Sequence, residues 1–405
     1  MDGPMPLEGV RILDATTWQT GSGGTVMLAD MGADVIKIES PGAGDPGRHW
    51  RLPGEPADGM SSFFEVMNRN KRSLTVDLKA DAGRELFYRL VETADVVALN
   101  VRPSVPARLG IDYETLAEKN PRIIVAMTTG LGVRGPEADR PLYDLVGHAR
   151  SGMLRLLSDP DLPVPRYVGS WGVADEAGAI MLAMSILAAL AARAVHGVGQ
   201  LVDTSQLAAM VTLQAYPLQV YMYTGESPWE EMRWKQRSNP LFAVYQGSDG
   251  VPFCIAGHPR DRYWPRLCEE LGLGTLADEP RYLVPGELAI EVAEEIRELL
   301  TPAFAGRPAA HWIERLTALD IPVSPVADYA DVVADPQVLA NDLVVEVDHP
   351  LSGPVREPWL PLNFSRTPAR FRHSAPGLGE HTDEVLAELG LAPEEVADLR
   401  VEGVV

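Results

Sequence analysis

The first half of the chain alternates between short apolar strands and helices, and this alternation constrains the fold more than any other feature. Parallel strands that are joined by helices have both faces covered, so they appear in a sequence as continuous apolar runs. The chain is therefore predicted to be an α/β protein with a doubly wound parallel sheet. The predicted strands are Val10–Asp14, Asp34–Glu39, Ser73–Leu78, Asp95–Asn100 and Ile123–Thr128.

The segments that follow these strands predict where a ligand binds. In an open parallel sheet, ligands lie outside the carboxyl ends of the strands, near the point where the strand order reverses. We expect four such segments to line one binding crevice: Asp14–Gln19, Glu39–Asp45, Asn100–Pro103 and Thr128–Gly132.

The chain has 405 residues, too many for one ordinary core, and its character changes after Gly225. A hairpin is predicted from Phe242 to Ile255, because a Gly-Ser-Asp-Gly turn signal lies within it. Later extended segments are expected to pack back on an earlier domain. We predict a large domain from residues 1–225, a smaller α+β domain from 226–325, and a return segment, 326–405, that completes the large domain.

Composition excludes several classes of function. The net charge of −22 argues against binding to nucleic acid or to an anionic membrane as the main task. Cys254 and Cys268 form neither a disulfide framework nor a metal motif, and the eight histidines are scattered. No secretory signal is recognisable, and the uncharged apolar run at residues 177–192 is short for a membrane span. A cytoplasmic protein without a metal site is expected.

An anionic ligand of so acidic a protein requires a local patch of positive charge. The sequence contains one candidate cluster with two further cations beyond it. These residues are Arg69, Lys71, Arg72, Lys79, Arg102 and Arg108.

Asp175 lies at the start of a long apolar helix that is predicted to run from Glu176 to about His196. Free backbone N–H groups at a helix start favour the ionised form of a carboxylate. An ionised carboxylate next to a glycine-containing loop, here residues 169–172, can be a nucleophile toward an acyl group. The alternative is that Asp175 only caps the helix.

Asp144 opens another predicted helix after a polar loop at residues 135–143. It is predicted either as a second acid near the site or as a helix cap or salt-bridge partner of Arg140.

Gly21 and Gly23 imitate a dinucleotide-binding fingerprint, because they lie in a predicted turn, residues 20–24, before a predicted helix, residues 25–31. Glu39, at the end of the next strand, has roughly the spacing of the acid that binds ribose. The third glycine position holds Val26, however, and a tight turn that requires permissive glycines explains the pattern equally well.

Several longer strings resemble one known family, the family III CoA-transferases, which includes formyl-CoA, carnitine-CoA and bile-acid CoA-transferases. The resemblance covers nearly the whole chain. The strings that carry it are Pro6–Asp14, Gly32–Glu39, Asn68–Leu74, Asp95–Pro103, Gly199–Asp203, Ile321–Val326 and Leu378–Leu386.

The resemblance implies a Rossmann-like large domain formed by both ends of the chain, a smaller middle domain, and a homodimer of two interlocked chains. It implies that Asp175 is the active aspartate, which forms an aspartyl–acyl anhydride and then an aspartyl-CoA thioester. CoA leaves on a carboxylic acid acceptor. No metal or tightly bound cofactor is implied, and coenzyme A enters as part of the substrate.

Contacts to CoA are also implied by position in the family. They fall on two of the four strand-end segments, on the end of the predicted strand Ser73–Leu78 with Lys79, and on one separate arginine, with Asp144 as a further candidate. The residues are Gln19, Val76, Asp77, Leu78, Lys79, Asn100, Val101, Arg102 and Arg108.

The chain departs from the formyl-CoA enzyme in two places. Ser40 replaces an arginine near the adenine, and no glycine-rich loop occurs at residues 225–260. Oxalate and formate are therefore poor substrate predictions. The loop Trp229–Asn239, with Trp234 in it and Phe242 after it, indicates a bulkier or more apolar acyl group.

A neighbouring branch of the family racemises 2-methylacyl-CoA by proton transfer at the α-carbon, and this is the alternative function. That branch uses a histidine just before the acid at Asp144, where this chain has Tyr143. A phenol is a poor base at neutral pH, since its pKa is about 10. His148 lies four residues further along the chain.

Overall fold

The computed structural model describes residues 3–55, 61–158, 162–167, 171–226, 238–286, 288–350 and 353–405. Two groups of residues discussed above, Gly169 with Ser170 and the loop 229–237 with Trp234, lie outside them. Among the described residues, six strands form one parallel sheet in the order β3-β2-β1-β4-β5-β6. The strands are β1 Arg11–Ala15, β2 Asp34–Glu39, β3 Lys71–Thr75, β4 Val96–Leu99, β5 Ile124–Thr129 and β6 Gln200–Ser205.

The predicted doubly wound sheet is confirmed. Every residue of β4 and β5 is buried, as expected for central strands with helices on both faces. The strand order reverses between β1 and β4, and a crevice for ligands is expected beside that point. Strand β3 begins at Lys71, two residues before the predicted start at Ser73, because Lys71 and Arg72 already pair with Val35 and Ile36 of β2.

The large unit contains helices on both faces of this sheet. Those before β6 are α1 Trp18–Asp30, α2 Ser62–Asn68, α3 Asp81–Thr93, α4 Val105–Leu109, α5 Tyr113–Lys119, α6 Asp144–Ser151, α7 Met153–Leu156 and α8 Val173–His196. After β6 come α9 Gln206–Leu213, which belongs to this unit, and α10 Ala215–Thr224, which lies in the second unit except for Ala215. The single helix predicted over residues 207–223 is therefore two helices, separated at Gln214.

The predicted glycine turn at residues 20–24 is wrong, because these residues belong to α1. Their glycines allow α1 to approach α8 closely. A β-carbon at Gly24 would lie 2.9 Å from the carbonyl oxygen of Ala179, and one at Gly23 would lie 3.2 Å from the Ala179 side chain. The glycines that imitate a dinucleotide fingerprint therefore serve a helix–helix contact. Residues 20–24 form no turn in which backbone N–H groups could surround a pyrophosphate.

Within the described part of the chain, α8 alone is long and apolar enough to cross a bilayer, judged by length and composition. In this fold its inward side packs on α1 and on the sheet, in a cluster with Leu28 and Ile124. The buried residues of α8 include Ala179, Leu182 and Ile186. Their spacing of three and four residues is that of one helix face.

The chain divides into two compact units, residues 1–215 with 339–405, and residues 216–338. The limits predicted from the sequence are 225 and 325. The assignment of a function to each domain stays a prediction. In the second unit, β7 Phe242–Gln246, β8 Pro252–Ala256 and β9 Val323–Pro325 form an antiparallel sheet, which includes the predicted hairpin. The helices here are α11 Arg260–Glu270, α12 Ile290–Phe304, α13 Ala309–Ala318, α14 Tyr329–Ala334 and α15 Pro336–Ala340.

The C-terminal segment returns to the first unit, and its elements are β10 Val344–His349, β11 Gly353–Pro358, α16 Thr382–Glu388 and α17 Pro393–Val401. Strands β10 and β11 pair in an antiparallel hairpin. Helix α16 packs against β3, and the backbone N–H of His381 donates to the Ser73 carbonyl oxygen at 3.0 Å. Both ends of the chain therefore build the large unit.

Candidate active site

A cavity of about 710 Å³ lies at the carboxyl ends of β1, β4 and β5. Three of the four predicted strand-end segments line it, through residues 17–19, 100–103 and 128–130. The fourth segment, Glu39–Asp45, does not. Asp45 instead lies beneath the cavity, where it pairs with Lys37 at 2.8 Å and accepts a hydrogen bond from the backbone N–H of Trp18 at 3.2 Å.

Asp175 lies in the first turn of α8 and lines this cavity. Its Oδ1 atom accepts hydrogen bonds from the Thr20 hydroxyl and from the Gln206 side-chain amide. The same amide nitrogen donates to the Thr20 hydroxyl oxygen at 2.7 Å. No residue of the described chain donates to Oδ2.

Sequence reasoning missed Thr20 and Gln206. Thr20 was placed in a turn, whereas it lies in the first turns of α1. Gln206 directly follows β6, so its place at a sixth strand end was the one signal that could have identified it.

The local environment opposes the effect that the helix start was expected to have on Asp175. Burial raises the pKa of Asp175, the negative charges of Asp144 and Glu176 raise it further, and the bonds from Thr20 and Gln206 only partly offset them. The resulting pKa is about 6, against an ordinary value of 3.8. A carboxyl group with this pKa is still mostly ionised at neutral pH.

Asp144 is at the first position of α6, and its carboxylate caps the neighbouring helix α8. Its Oδ1 atom accepts from the backbone N–H of Ala174 at 2.6 Å and from that of Asp175 at 3.3 Å. The Tyr167 hydroxyl donates to Oδ2. Arg140 pairs with Glu137 instead, so the predicted salt bridge is wrong, and so is the predicted cap of Asp144 on its own helix, where Tyr143 holds the cap position. Asp144 lines the cavity as a second acid.

Two of the predicted CoA-contact residues fix the walls of the cavity. The Gln19 amide donates to the Trp171 carbonyl oxygen at 3.2 Å and to Glu176 Oε1 at 2.8 Å, so it ties α1 to the start of α8. Asn100 bonds both backbone groups of Thr17, at 3.0 and 2.6 Å. These side chains hold the cavity in shape, and their contact with CoA stays a prediction.

The remaining predicted contacts divide into two sets. Val101 and Arg102 line the cavity, and Arg102 is exposed with no ion-pair partner among the described residues. The others lie outside the cavity lining. They are Val76, which is buried, Asp77 and Leu78, which are half-buried, and Lys79 and Arg108, which are exposed.

Three members of the predicted basic patch are not available to a ligand. Arg69 pairs with Asp30 at 2.8 Å, and Lys71 pairs with Asp14 at 2.9 Å; all four side chains are buried. Arg72 pairs with Asp34, Glu384 and Glu388. The predicted patch is therefore wrong for these three cations, because the fold supplies an acid within the chain for each of them.

Aromatic side chains form one wall of the cavity. Trp18 meets Trp50 and Phe63 edge to face, with ring centroids 6.1 and 6.2 Å apart. Trp18 and Trp171 both have positive φ, of 61° and 80°. Such backbone costs about 1–3 kcal/mol in a residue other than glycine and is concentrated at functional sites.

No histidine is among the described residues that line the cavity, although the racemase branch requires one beside the acid. Tyr143 lines it and is largely exposed, whereas His148 is buried and does not line it. The His148 ring packs edge to face on Tyr167, and its Nε2 atom lies 3.5 Å from Asp144 Oδ2. Within the described residues, no group of histidine, cysteine and acidic side chains is placed to hold a metal ion.

Comparison with known proteins identifies the family. The model of CoA-transferase family III matches residues 7–382. The chain belongs to CoA-transferase family III. It is 35% identical to a succinate–glutarate CoA-transferase of Agrobacterium fabrum, over 95% of this chain and 96% of that protein. It is 34% identical to an acetyl-CoA:oxalate CoA-transferase of Acetobacter aceti, over 89% of each.

A solved structure agrees with this assignment. The crystal structure of a CAIB/BAIF family protein from Brucella suis superposes with a TM-score of 0.83 at 31% identity, over 95% of this chain and 100% of that one. The protein is therefore a CoA-transferase, and its relatives act on acyl-CoA and carboxylic acid substrates.

Proposed function

We propose that this CoA-transferase moves CoA from an acyl-CoA donor to a carboxylic acid through covalent intermediates on Asp175. The observation that carries the proposal is the state of this carboxylate. It lies at the cavity wall, one oxygen is held by two donors, and the other has no donor among the described residues. An ionised, partly desolvated carboxylate of this kind is suited to attack a thioester.

The reaction begins when an Asp175 oxygen attacks the thioester carbonyl carbon of the donor and CoA leaves as a thiolate. The product of this step is an aspartyl–acyl anhydride. The thiolate then attacks Cγ of Asp175, and the donor acid leaves, which gives an aspartyl-CoA thioester. The acceptor carboxylate attacks this thioester, and the released thiolate takes the acceptor acyl group from the second anhydride.

CoA is expected to enter along the strand ends that line the cavity. Arg102 is the cation best placed there to meet a CoA phosphate, because it is exposed and has no partner in the described chain. Lys79 and Arg108 lie outside the lining, so their contacts would involve the outer part of CoA. A homodimer and a cytoplasmic location remain predictions.

The substrate panel should test two kinds of acid. Dicarboxylates belong in it because relatives of this chain are named for oxalate, succinate and glutarate. Apolar and aromatic acids belong in it because Trp18, Trp50 and Phe63 form one cavity wall.

The test is to incubate the protein with a panel of acyl-CoA esters, quench it with hydroxylamine or borohydride, and analyse the peptide that carries Asp175 by mass spectrometry. A hydroxamate or a reduced thioester on Asp175 is expected, and the ester that produces it identifies the donor. Asp175→Asn should show no modification and no CoA exchange with an unchanged fold. Normal turnover by that variant would refute the proposal.

A further inference from the structure

The two oxygens of Asp175 are not equivalent. Oδ1 accepts from both Thr20 and Gln206, whereas Oδ2 has no donor in the described part of the chain. The hydrogens are fully accounted for: Gln206 Nε2 directs one to Oδ1 and one to the Thr20 oxygen, so the single Thr20 hydrogen goes to Oδ1. Three groups therefore form a closed ring of hydrogen bonds around one carboxylate oxygen.

This ring is held rigidly. Thr20 and Gln206 are 7% and 5% exposed. The Thr20 methyl group packs where α8 has only glycine, since a β-carbon at Gly178 would lie 2.8 Å from it. The Gln206 amide is oriented by the carboxylate, because its Oε1 atom is buried without a partner among the described residues. A buried Oε1 atom without a donor costs free energy, and the hydrogen bond from Nε2 to Asp175 offsets that cost.

We infer that Thr20 and Gln206 form an oxyanion hole for the enzyme's own acyl group, with Oδ1 as the oxygen that never leaves and Oδ2 as the one that is exchanged. This inference rests on the function proposed above. Oxyanion holes act when preorganised donors face the atom on which charge develops. Here the fold itself directs both donors at Oδ1.

The oxygen balance of the reaction follows from this arrangement. Oδ2 attacks the donor carbonyl carbon, and Oδ1 becomes the carbonyl oxygen of the aspartyl group. When the CoA thiolate attacks Cγ, negative charge moves onto Oδ1, and the donor acid departs with the original Oδ2. The acceptor carboxylate then attacks Cγ, charge moves onto Oδ1 again, and the thiolate leaves. One acceptor oxygen finally remains on Asp175 in the Oδ2 position.

The test uses an acceptor acid labelled with oxygen-18 in both carboxylate oxygens. The probe is succinyl-CoA with labelled glutarate, or another pair from the panel for which CoA exchange has been measured. After several turnovers, the peptide carrying Asp175 should contain one heavy oxygen and not two. Two heavy oxygens in the wild type would overturn the inference, because the carboxylate would then rotate about its Cβ–Cγ bond between reactions and exchange its two oxygens. Exchange with no heavy oxygen at all would overturn the covalent mechanism itself.

Variants assign the role to the two side chains. Thr20→Val and Gln206→Leu should each lower kcat about 100-fold, as expected for loss of an oxyanion donor, and should let Asp175 take up a second heavy oxygen. Thr20→Ser keeps the hydroxyl and should restore both the rate and the single label. Thr212→Val, on the exposed side of α9, is the matched control. A wild-type rate with a single heavy oxygen in Thr20→Val and Gln206→Leu would overturn the assignment.

Discussion

Asp14 and Asp175 are two acids that contact the same short stretch of chain, yet their surroundings are opposite. Asp14 is fully buried and accepts hydrogen bonds from Thr16, Thr25 and Lys71. Burial alone would raise its pKa, but the charges of Lys71 and Lys37 lower it to about 2. Asp175 has no cation beside it among the described residues.

The difference shows how its surroundings decide whether an aspartate stabilises the fold or takes part in a reaction. Lys71 and Lys37 neutralise Asp14, and Lys71 also donates to the Ser22 carbonyl oxygen and to Asn68, so every group in that cluster is satisfied. Around Asp175 the nearby charges are those of other acids, which raise its pKa after burial has already done so. The first carboxylate fixes α1 on the sheet, and the second retains reactivity.

The largest expected effect is on stability. Substitutions of the two acids should change the free energy of unfolding in opposite directions. Asp14→Asn leaves Lys71 as an unpaired buried charge, which should cost about 3–5 kcal/mol. Because the pKa of Asp175 is raised, ionisation of Asp175 weakens folding as the pH rises through about 6. Asp175→Asn should therefore be slightly more stable than the wild type at neutral pH, by about 1 kcal/mol. Urea unfolding measures both variants.

A smaller effect of Asp14→Asn than of Asp175→Asn, or a loss of stability in Asp175→Asn, would contradict this comparison. Asp14 stabilises the fold above the ordinary pKa of an aspartate, and that contribution is lost only as the pH falls toward about 2.

The next effect is on the pH dependence of the rate. The ionised form of Asp175 is the nucleophile, so kcat/KM should fall about tenfold per pH unit below a pH of about 6. Glu176→Gln removes one of the charges that raise this pKa, while keeping the oxygen that accepts from Gln19. Its acid limb should move to lower pH. An unmoved limb, or one that moves upward, would show that another group controls the rate.

The smallest expected effect is on KM for the acyl-CoA, and it tests the cation at the cavity. Lys37 and Lys71 are paired inside the protein, whereas Arg102 is exposed at the cavity. Arg102→Ala should raise KM for the acyl-CoA roughly two- to fivefold, and less at high salt, since an exposed charge contributes about 0.2–1 kcal/mol. The control is Arg134→Ala, an exposed arginine outside the cavity lining. Equal KM values for both variants would remove Arg102 from the CoA site.

The sequence predicts the sheet and the position of the cavity because both follow from local patterns. Apolar runs such as Val96–Leu99 identify the strands, and parallel strands bring their carboxyl ends to one edge. Asp175 was found through the helix start and the family resemblance. Thr20 and Gln206 were missed because they are far apart in the chain, and only the fold of α1 and α9 around α8 places both on one oxygen.

The glycines of α1 also bear on how other chains are interpreted. Gly21, Gly23 and Gly24 sit in a βα unit with an acid at the end of the next strand, so a search for nucleotide-binding sequences would collect this chain. What distinguishes it is distant in sequence: a second helix with Gly178 and Ala179 at the crossing. Chains that have small residues at both sets of positions should share this helix crossing. Chains that have only the glycines of the first helix remain candidates for binding a dinucleotide.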